Sequence, residues 1–250
     1  ISPMNGATNL SKNQKITLTF SEPLDPNSVQ AAIKINIENN ISMAVRKNIV
    51  TITPIGFYDE NKVIRINIDR AIRDYQGNIM ESPISLIYST SSIPYNGKIY
   101  GKLANINTNE IYEVGLYNFP GHDSLKLLLK TQTNEHGEFY FNFIKSENYI
   151  IIATEGKIEN IYEEIKFSKY GINPIDYLEI DSNFDSLYTE IYIDKPLPRL
   201  DIKAGKLLGN NFGKIYYSDG TEDNFFFSIE DEYIFPQYLK VSKMENDSLK

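Results

Sequence analysis

The 250-residue sequence contains 41% hydrophobic and 23% charged residues, which is typical of an ordinary globular protein and argues against wholesale disorder. Its formal net charge is −8 and no basic stripe offsets it, so nucleic acid is a poor partner. The sequence has no cysteine and no apolar run of the roughly 18–20 residues that a membrane helix needs. Disulfides, thiol nucleophiles, thiolate metal sites and membrane spans are therefore not expected in this segment.

The first part of the chain alternates apolar and polar side chains, the pattern of half-buried β-strands. Asp25 can cap a short helical turn, with Pro26 at its first position. The remaining segments predict a β-sandwich of about ninety residues. The predicted strands are Lys15–Phe20, Ile33–Ile37, Met43–Val45, Ile49–Thr53, Arg65–Ile68 and Ile84–Tyr88.

Strand patterns continue through the middle of the chain, with turn residues between most pairs. Residues 155–186 are less regular, and Ile161–Ile165 fits a helical turn or a strand equally well. The pattern predicts a second sandwich. Its strands are Lys98–Leu103, Ile111–Tyr117, Leu125–Thr131, Phe139–Phe143, Tyr149–Ala153 and Leu187–Ile193.

Two breaks divide the chain. Ser89–Pro94 has the small, polar composition of a linker, and the prolines of Pro196–Pro198 disfavour both helix and central strand. We therefore expect three domains, at residues 1–92, 93–196 and 197–250. The last has predicted strands at Lys214–Tyr217, Phe225–Ser228 and Tyr238–Val241, but few residues for a complete sandwich, so we expect a partial module whose remainder follows Lys250.

Three motifs in residues 1–92 resemble one known family. Pro3–Gly6 reads Pro-x-Asn-Gly, Phe20–Pro23 reads Phe-Ser-Glu-Pro, and Ile72–Asn78 reads Ile-x-Asp-x-x-Gly-Asn. In this order they resemble the SbsA-type bacterial Ig-like domain of S-layer proteins. Glu22 and Asp74 lie in two of these motifs, and we interpret their carboxylates as groups at turns and strand ends, with no catalytic role.

Four motifs in residues 93–196 resemble the carboxypeptidase-regulatory-like, or transthyretin-like, domain. They are the strand opening at Gly97–Gly101, the Leu-Tyr strand end at Val114–Tyr117, the Thr-x-x-x-Gly-x-Phe-x-Phe segment at Thr133–Phe141, and the closing strand Tyr149–Ala153. The sequence departs from the family at Glu135-His136 and at Asn148, both turn positions. The resemblance implies an accessory module without catalytic residues.

The fold class we predict is therefore all-β, with tandem β-sandwich modules (Ig-like, then transthyretin-like) and a partial third β module at the C-terminus. The order of the two modules resembles exported surface lipoproteins of Bacteroidota-type bacteria. That resemblance implies a location at the cell surface or in the periplasm, with a lipid anchor on a segment upstream of Ile1.

Possible chemistry is sparse. A catalytic triad needs a histidine, and the sequence offers only His122 and His136. Gly121–Ser124 contains all three triad residue types, but neighbours in one short loop cannot reach triad geometry. Asp181–Asp185 has the first oxygen spacings of a calcium loop yet lacks the later EF-hand ligands, which leaves a looser calcium site open. Some of the 18 tyrosines could form an exposed platform for sugars or proteins.

The sequence thus predicts no catalytic residue, no cofactor and no metal ligand. Our hypothesis is a non-catalytic structural or protein-interaction segment of an exported cell-envelope protein, which could be a subunit of an outer-membrane assembly. Two alternatives stay open: a glycan- or calcium-binding surface module, and an accessory region of a larger exported enzyme. A cluster of exposed tyrosines, or convergent carboxylates on one loop end, distinguishes the binding module.

Overall fold

A computed structural model describes residues 1–37, 41–93, 95–119, 125–165, 167–181, 185–195, 202–209, 212–217, 220, 222–228 and 240–243. Strands hold 50% of the chain and helices 7%, which confirms the predicted all-β class. Among the described residues, none of the helices has the length and apolar character that crossing a membrane requires.

The first module consists of two three-stranded antiparallel sheets. One sheet has the order β1-β4-β3 and the other β2-β5-β6. Their inward-facing residues form one core, with Ile16, Val50, Ile64 and Ile66 fully buried. The strands are β1 (Ile16–Thr19), β2 (Ile33–Ile35), β3 (Ile41–Arg46), β4 (Ile49–Pro54), β5 (Val63–Ile68) and β6 (Ile84–Ser89).

A short helix, α1 (Pro26–Ala32), connects β1 to β2. The Asp25 side chain accepts a hydrogen bond from the backbone N–H of Asn27 at 3.0 Å, and Pro26 occupies the first helical turn. This confirms the predicted cap, although the helix is about two turns long instead of one.

The second sandwich also consists of two sheets. One sheet has the order β10-β7-β14, in which β7 and β14 are parallel; the other has the order β12-β11-β8-β9, with β13 also beside β11. The strands are β7 (Gly97–Ala104), β8 (Glu113–Phe119), β9 (Leu127–Gln132), β10 (Glu138–Ile144), β11 (Asn148–Thr154), β12 (Tyr170–Ile172), β13 (Leu178–Glu179) and β14 (Ser186–Tyr192).

The stretch whose conformation the sequence left open is helical. A 3₁₀ turn at Ile158–Asn160 runs into α2 (Ile161–Glu164). Ile158 and Ile161 are buried and form a small cluster with Tyr117 and Ile152 on the outer side of β8 and β11. The turn therefore covers apolar side chains that would otherwise face solvent.

The C-terminal strands form a four-stranded antiparallel sheet in chain order. They are β15 (Ile202–Leu207), β16 (Phe212–Tyr217), β17 (Glu222–Ser228) and β18 (Lys240–Lys243). By contacts the chain divides into two compact units, residues 1–196 and 197–250. The division into three domains with a boundary at 92/93 stays a prediction; the two sandwiches have separate cores but belong to one compact unit.

Candidate functional site

The outer face of the sheet β10-β7-β14 carries a row of tyrosines. Tyr100 on the central strand β7 lies opposite Tyr140 on β10 and, on its other side, opposite Tyr188 on β14. All three point outward because residues alternate between the two faces of a strand, and they are 41%, 51% and 54% exposed. The rings of Tyr100 and Tyr188 are 5.5 Å apart between centroids, with planes tilted by 54°. We call these three residues the tyrosine row.

Polar side chains flank the tyrosine row on both sides. One flank is the cross-strand set Glu138, Lys102 and Glu190, and the other is Asn142, Lys98 and Ser186. Two lysines and two glutamates balance the charge of this face. It offers hydrogen-bond donors and acceptors on either side of the rings.

Glycine at the centre of the sheet allows this arrangement. On the inner side, Gly101 pairs with Phe139 and with Thr189. A Cβ atom on Gly101 would lie 2.2 Å from the Thr189 carbonyl oxygen and 2.6 Å from Cζ of Phe139. The Phe139 ring therefore lies directly over the glycine, and this packing holds the three strands in the register that aligns the tyrosines.

A cleft adjoins one end of the row. It has a volume of about 680 Å³ and is lined by Tyr188, Tyr177, Glu179 and Asp176 among others. The Tyr177 ring stacks on Phe119 at 5.1 Å between centroids, with planes 18° apart. The exposed aromatic surface thus continues from the sheet face toward the β13 side of the module.

Arg65 on β5 connects the two sandwiches. Its guanidinium donates hydrogen bonds to the carbonyl oxygens of Asn142, at 3.2 Å, and of Phe143. These carbonyls lie at a bulge of β10, where Phe143 has a φ of 54°. Burial lowers the pKa of Arg65, which at neutral pH stays protonated. The bulge therefore directs two carbonyls at one cation of the first module.

Arg70 makes a second connection and is 6% exposed. Its Nη1 donates to the Thr133 carbonyl at 3.2 Å and its Nε to the Met80 carbonyl at 2.9 Å. Its backbone N–H donates to Oε1 of Gln132 at 2.8 Å. Buried polar groups that are hydrogen-bonded in this way fix a relative position more strongly than apolar contact alone.

Further charged side chains lie near Arg70, on both sandwiches. Burial raises the pKa of Asp69, against the lowering influence of nearby Lys130. Lys130 forms an ion pair with Glu159, with 2.6 Å between Nζ and Oε1. Buried Glu113 accepts from the Ile158 N–H at 2.9 Å and so caps the 3₁₀ turn. Lys130, Glu159 and Glu113 thus have their partners within the second sandwich.

Buried tyrosines differ in what their hydroxyls contact. The Tyr117 hydroxyl donates to the Ile158 carbonyl at 3.1 Å, whereas the Tyr58 hydroxyl has no hydrogen-bond partner among the described residues. Burial raises the pKa of both phenols. It also raises the pKa of Tyr88 to about 12.

The candidate residues of the sequence have different outcomes. The Asp74 carboxylate accepts from the N–H groups of Gln76 and Asn78 at 2.8 and 2.9 Å, which confirms its interpretation as a turn residue. The Asn78 side chain also donates to this carboxylate, and that bond is the main cause that lowers the pKa of Asp74, together with the two backbone bonds. Leu24, two residues after Glu22, pairs with Asp74 in an isolated bridge.

The proposed triad loop Gly121–Ser124, with His122, lies outside the described residues. So does the middle of the calcium-like segment Asp181–Asp185. Within the described part of the chain, no three His, Asp or Glu side chains are grouped so as to hold a metal ion. His136 is exposed in the turn before β10, where Asn134 Oδ1 accepts from its N–H at 2.9 Å.

The fold and the tyrosine row define a class of protein, an all-β chain of tandem sandwiches with one aromatic sheet face. Residues 1–90 match the family model of the bacterial Ig-like domain. This is a non-catalytic type of module, and the match confirms the bacterial Ig-like part of the first resemblance. The match ends at Thr90, inside the predicted linker Ser89–Pro94. No curated protein matches the sequence.

Several solved structures are weakly similar. The major pilin subunit BcpA of Bacillus cereus is 15% identical, with a TM-score of 0.27 over 74% of this chain and 60% of that chain. The N-terminal part of the S-layer protein SbsC is 13% identical, with a TM-score of 0.25 over 59% and 39%. LD transpeptidase LdtMt1 is 19% identical, with a TM-score of 0.24 over 41% of each chain. At these scores no function follows from the likeness.

Proposed function

We propose that this chain is a non-catalytic structural and interaction segment of an exported cell-envelope protein. Its first two modules act as one rigid body that presents the tyrosine row to a partner. The observation that carries the proposal is the pair of arginine connections, in which half-buried Arg65 and buried Arg70 of the first module donate to backbone carbonyls of the second. Such hydrogen bonds hold two modules in one relative position, which modules that move independently do not require.

Rigidity matters for presentation. A binding face that is held in one position loses less conformational entropy on binding than one on a mobile domain. Asn142 lies in the flank of the tyrosine row, and its carbonyl accepts from Arg65. The same strand therefore contributes to the junction and to the exposed face.

The finer parts of the proposal rest on resemblance. The second sandwich is a carboxypeptidase-regulatory-like module, and the location is the cell surface or periplasm of a Bacteroidota-type bacterium, with a lipid anchor. The bacterial Ig-like match at residues 1–90 supports a surface protein. The partner could be an outer-membrane assembly, and the exposed aromatic row supports an interaction surface in general.

Localisation tests this proposal directly. Cell fractionation of the encoding organism should recover the protein with the envelope. Antibodies raised against the 250-residue chain should label intact cells if it is at the cell surface, and only cells with a permeabilised outer membrane if it is periplasmic. Recovery of the protein in the cytosolic fraction alone would contradict the proposal. A cytosolic marker protein, detected in the same fractions, shows whether cells have lysed.

A further inference from the structure

The exposed side chains of the sheet β10-β7-β14 identify one class of ligand. We propose that the tyrosine row binds an uncharged polysaccharide, through stacking of sugar rings on Tyr140, Tyr100 and Tyr188 and hydrogen bonds to the flanking polar residues. This inference rests on the proposed function, in which the face is accessible at the cell envelope.

The rings supply the apolar part of the site. The face of an aromatic ring carries partial negative charge, which attracts the weakly positive C–H groups on one side of a pyranose. Strands in a sheet are about 4.8 Å apart, so the row extends about 10 Å between its outer members. A single sugar cannot cover that length, and the linear arrangement therefore fits a stretch of a polymer.

The flanks supply the polar part. Sugar hydroxyls both donate and accept hydrogen bonds, and the flanks contain both kinds of partner. Glu138 and Glu190 accept, Lys98 and Lys102 donate, and the Asn142 amide does both. Aromatic rings between rows of such groups match a ligand with apolar ring faces and a hydroxyl edge.

The charge of this face favours an uncharged ligand over a polyanion. The two lysines and two glutamates cancel on this face, while the whole chain has a net charge of −8. A polyanion would meet this overall negative charge without a basic patch to offset it. Binding to a neutral polymer needs no such patch.

A protein partner fits this face less well. Stable protein interfaces bury about 800 Å² on each side and have an apolar centre. Ala104 is the one aliphatic residue that the three strands direct outward, so the apolar surface is almost entirely tyrosine ring. Rings without aliphatic neighbours suit stacking with sugars.

Affinity gel electrophoresis of the full chain tests the inference. Gels containing a neutral glucan, mannan or xylan should retard the protein, and gels with a polyuronate should not. Tyr100→Ala and Tyr188→Ala should each weaken the interaction about tenfold, since each removes one stacking surface. Tyr188→Phe should keep most of the affinity because the ring remains. Tyr75→Ala is the matched control, as Tyr75 is 70% exposed in the turn of the first module.

Circular dichroism and urea midpoints verify that each variant is folded. The inference is overturned if none of the neutral polysaccharides retards the chain, or if folded Tyr100→Ala and Tyr188→Ala bind as wild type does. It is also overturned if the row captures an envelope protein, with tyrosine-dependent binding, but no polysaccharide. Capture of an envelope protein would contradict the polysaccharide inference but agree with the proposed function. A cytosolic location would contradict the proposed function, and polysaccharide binding in the gel would be unchanged.

Discussion

Replacement of Arg65 by methionine should weaken the coupling of the two sandwiches, while the Arg70 connection stays in place. Methionine keeps an unbranched apolar stem but cannot donate to the two carbonyls of the β10 bulge. Hydrogen bonds to a charged group contribute about 1.5–3 kcal/mol each. Arg65 is half-buried, so the lower end applies, and the two bonds together are expected to stabilise the junction by about 3 kcal/mol.

Urea denaturation of the full chain measures this loss. With a denaturant slope of about 2 kcal/mol per M, a loss of about 3 kcal/mol lowers the midpoint of the less stable sandwich by about 1.5 M. A shared transition of the two sandwiches should separate into two. Small-angle X-ray scattering should show a larger maximum dimension for Arg65→Met.

Arg46→Met provides the matched control, because Arg46 is exposed on the edge strand β3 of the same module. Its midpoint should stay within about 0.3 M of wild type. If Arg65→Met behaves as this control does, with an unchanged midpoint and scattering profile, the Arg65 connection does not couple the modules. The rigid-body part of the proposed function would then lose one of the two connections on which it rests.

Three further predictions concern the cores. Tyr58→Phe should raise the free energy of unfolding by up to about 1 kcal/mol, because it removes a buried hydroxyl that has no hydrogen-bond partner in the described part of the chain. Tyr117→Phe should lower it by about 1 kcal/mol, because it removes the bond to the Ile158 carbonyl; equal effects in urea denaturation would refute the distinction. Gly101→Ala should cost about 2–3 kcal/mol in thermal unfolding, since the new Cβ would meet a carbonyl oxygen at 2.2 Å, and an unchanged melting temperature would contradict that packing. The Tyr88 pKa is raised from 10.0 to about 12, so its contribution to stability is complete below pH 10 and lost as the pH rises toward 12. Urea midpoints that are constant from pH 9 to 11.5 would be inconsistent with this shift.

Most strands could be predicted from the sequence because their side chains either alternate or form short apolar runs between turn residues. Lys98–Leu103, for example, was predicted and β7 extends over Gly97–Ala104. The sequence does not predict β12 and β13, since three and two residues are too few to show a period of two. It does not predict β15 either, because Ile-Lys-Ala-Gly-Lys-Leu lacks a regular alternation. The helical turn at Ile158–Glu164 was undecided because its apolar residues fit either period until the cluster that they cover is known.

The module junction could not be predicted from the sequence. Arg65 occupies a position in β5 where alternation gives an outward side chain, as in any solvent-facing strand. Its partners are backbone carbonyls, which every residue possesses, and they converge only because Phe143 adopts a left-handed conformation at a bulge. Nothing in the composition of the segment indicates that conformation.

The tyrosine row shows how a site can depend on the core beneath it. Alternation alone places Tyr100, Tyr140 and Tyr188 outward on their own strands, but their alignment depends on which strands pair and in what register. That register follows from Phe139, which lies over Gly101 on the opposite side of the sheet. A shift by one residue would bury the tyrosines and expose the Phe139 ring. The Gly101→Ala variant should therefore disturb polysaccharide binding together with stability, although Gly101 itself does not face the ligand.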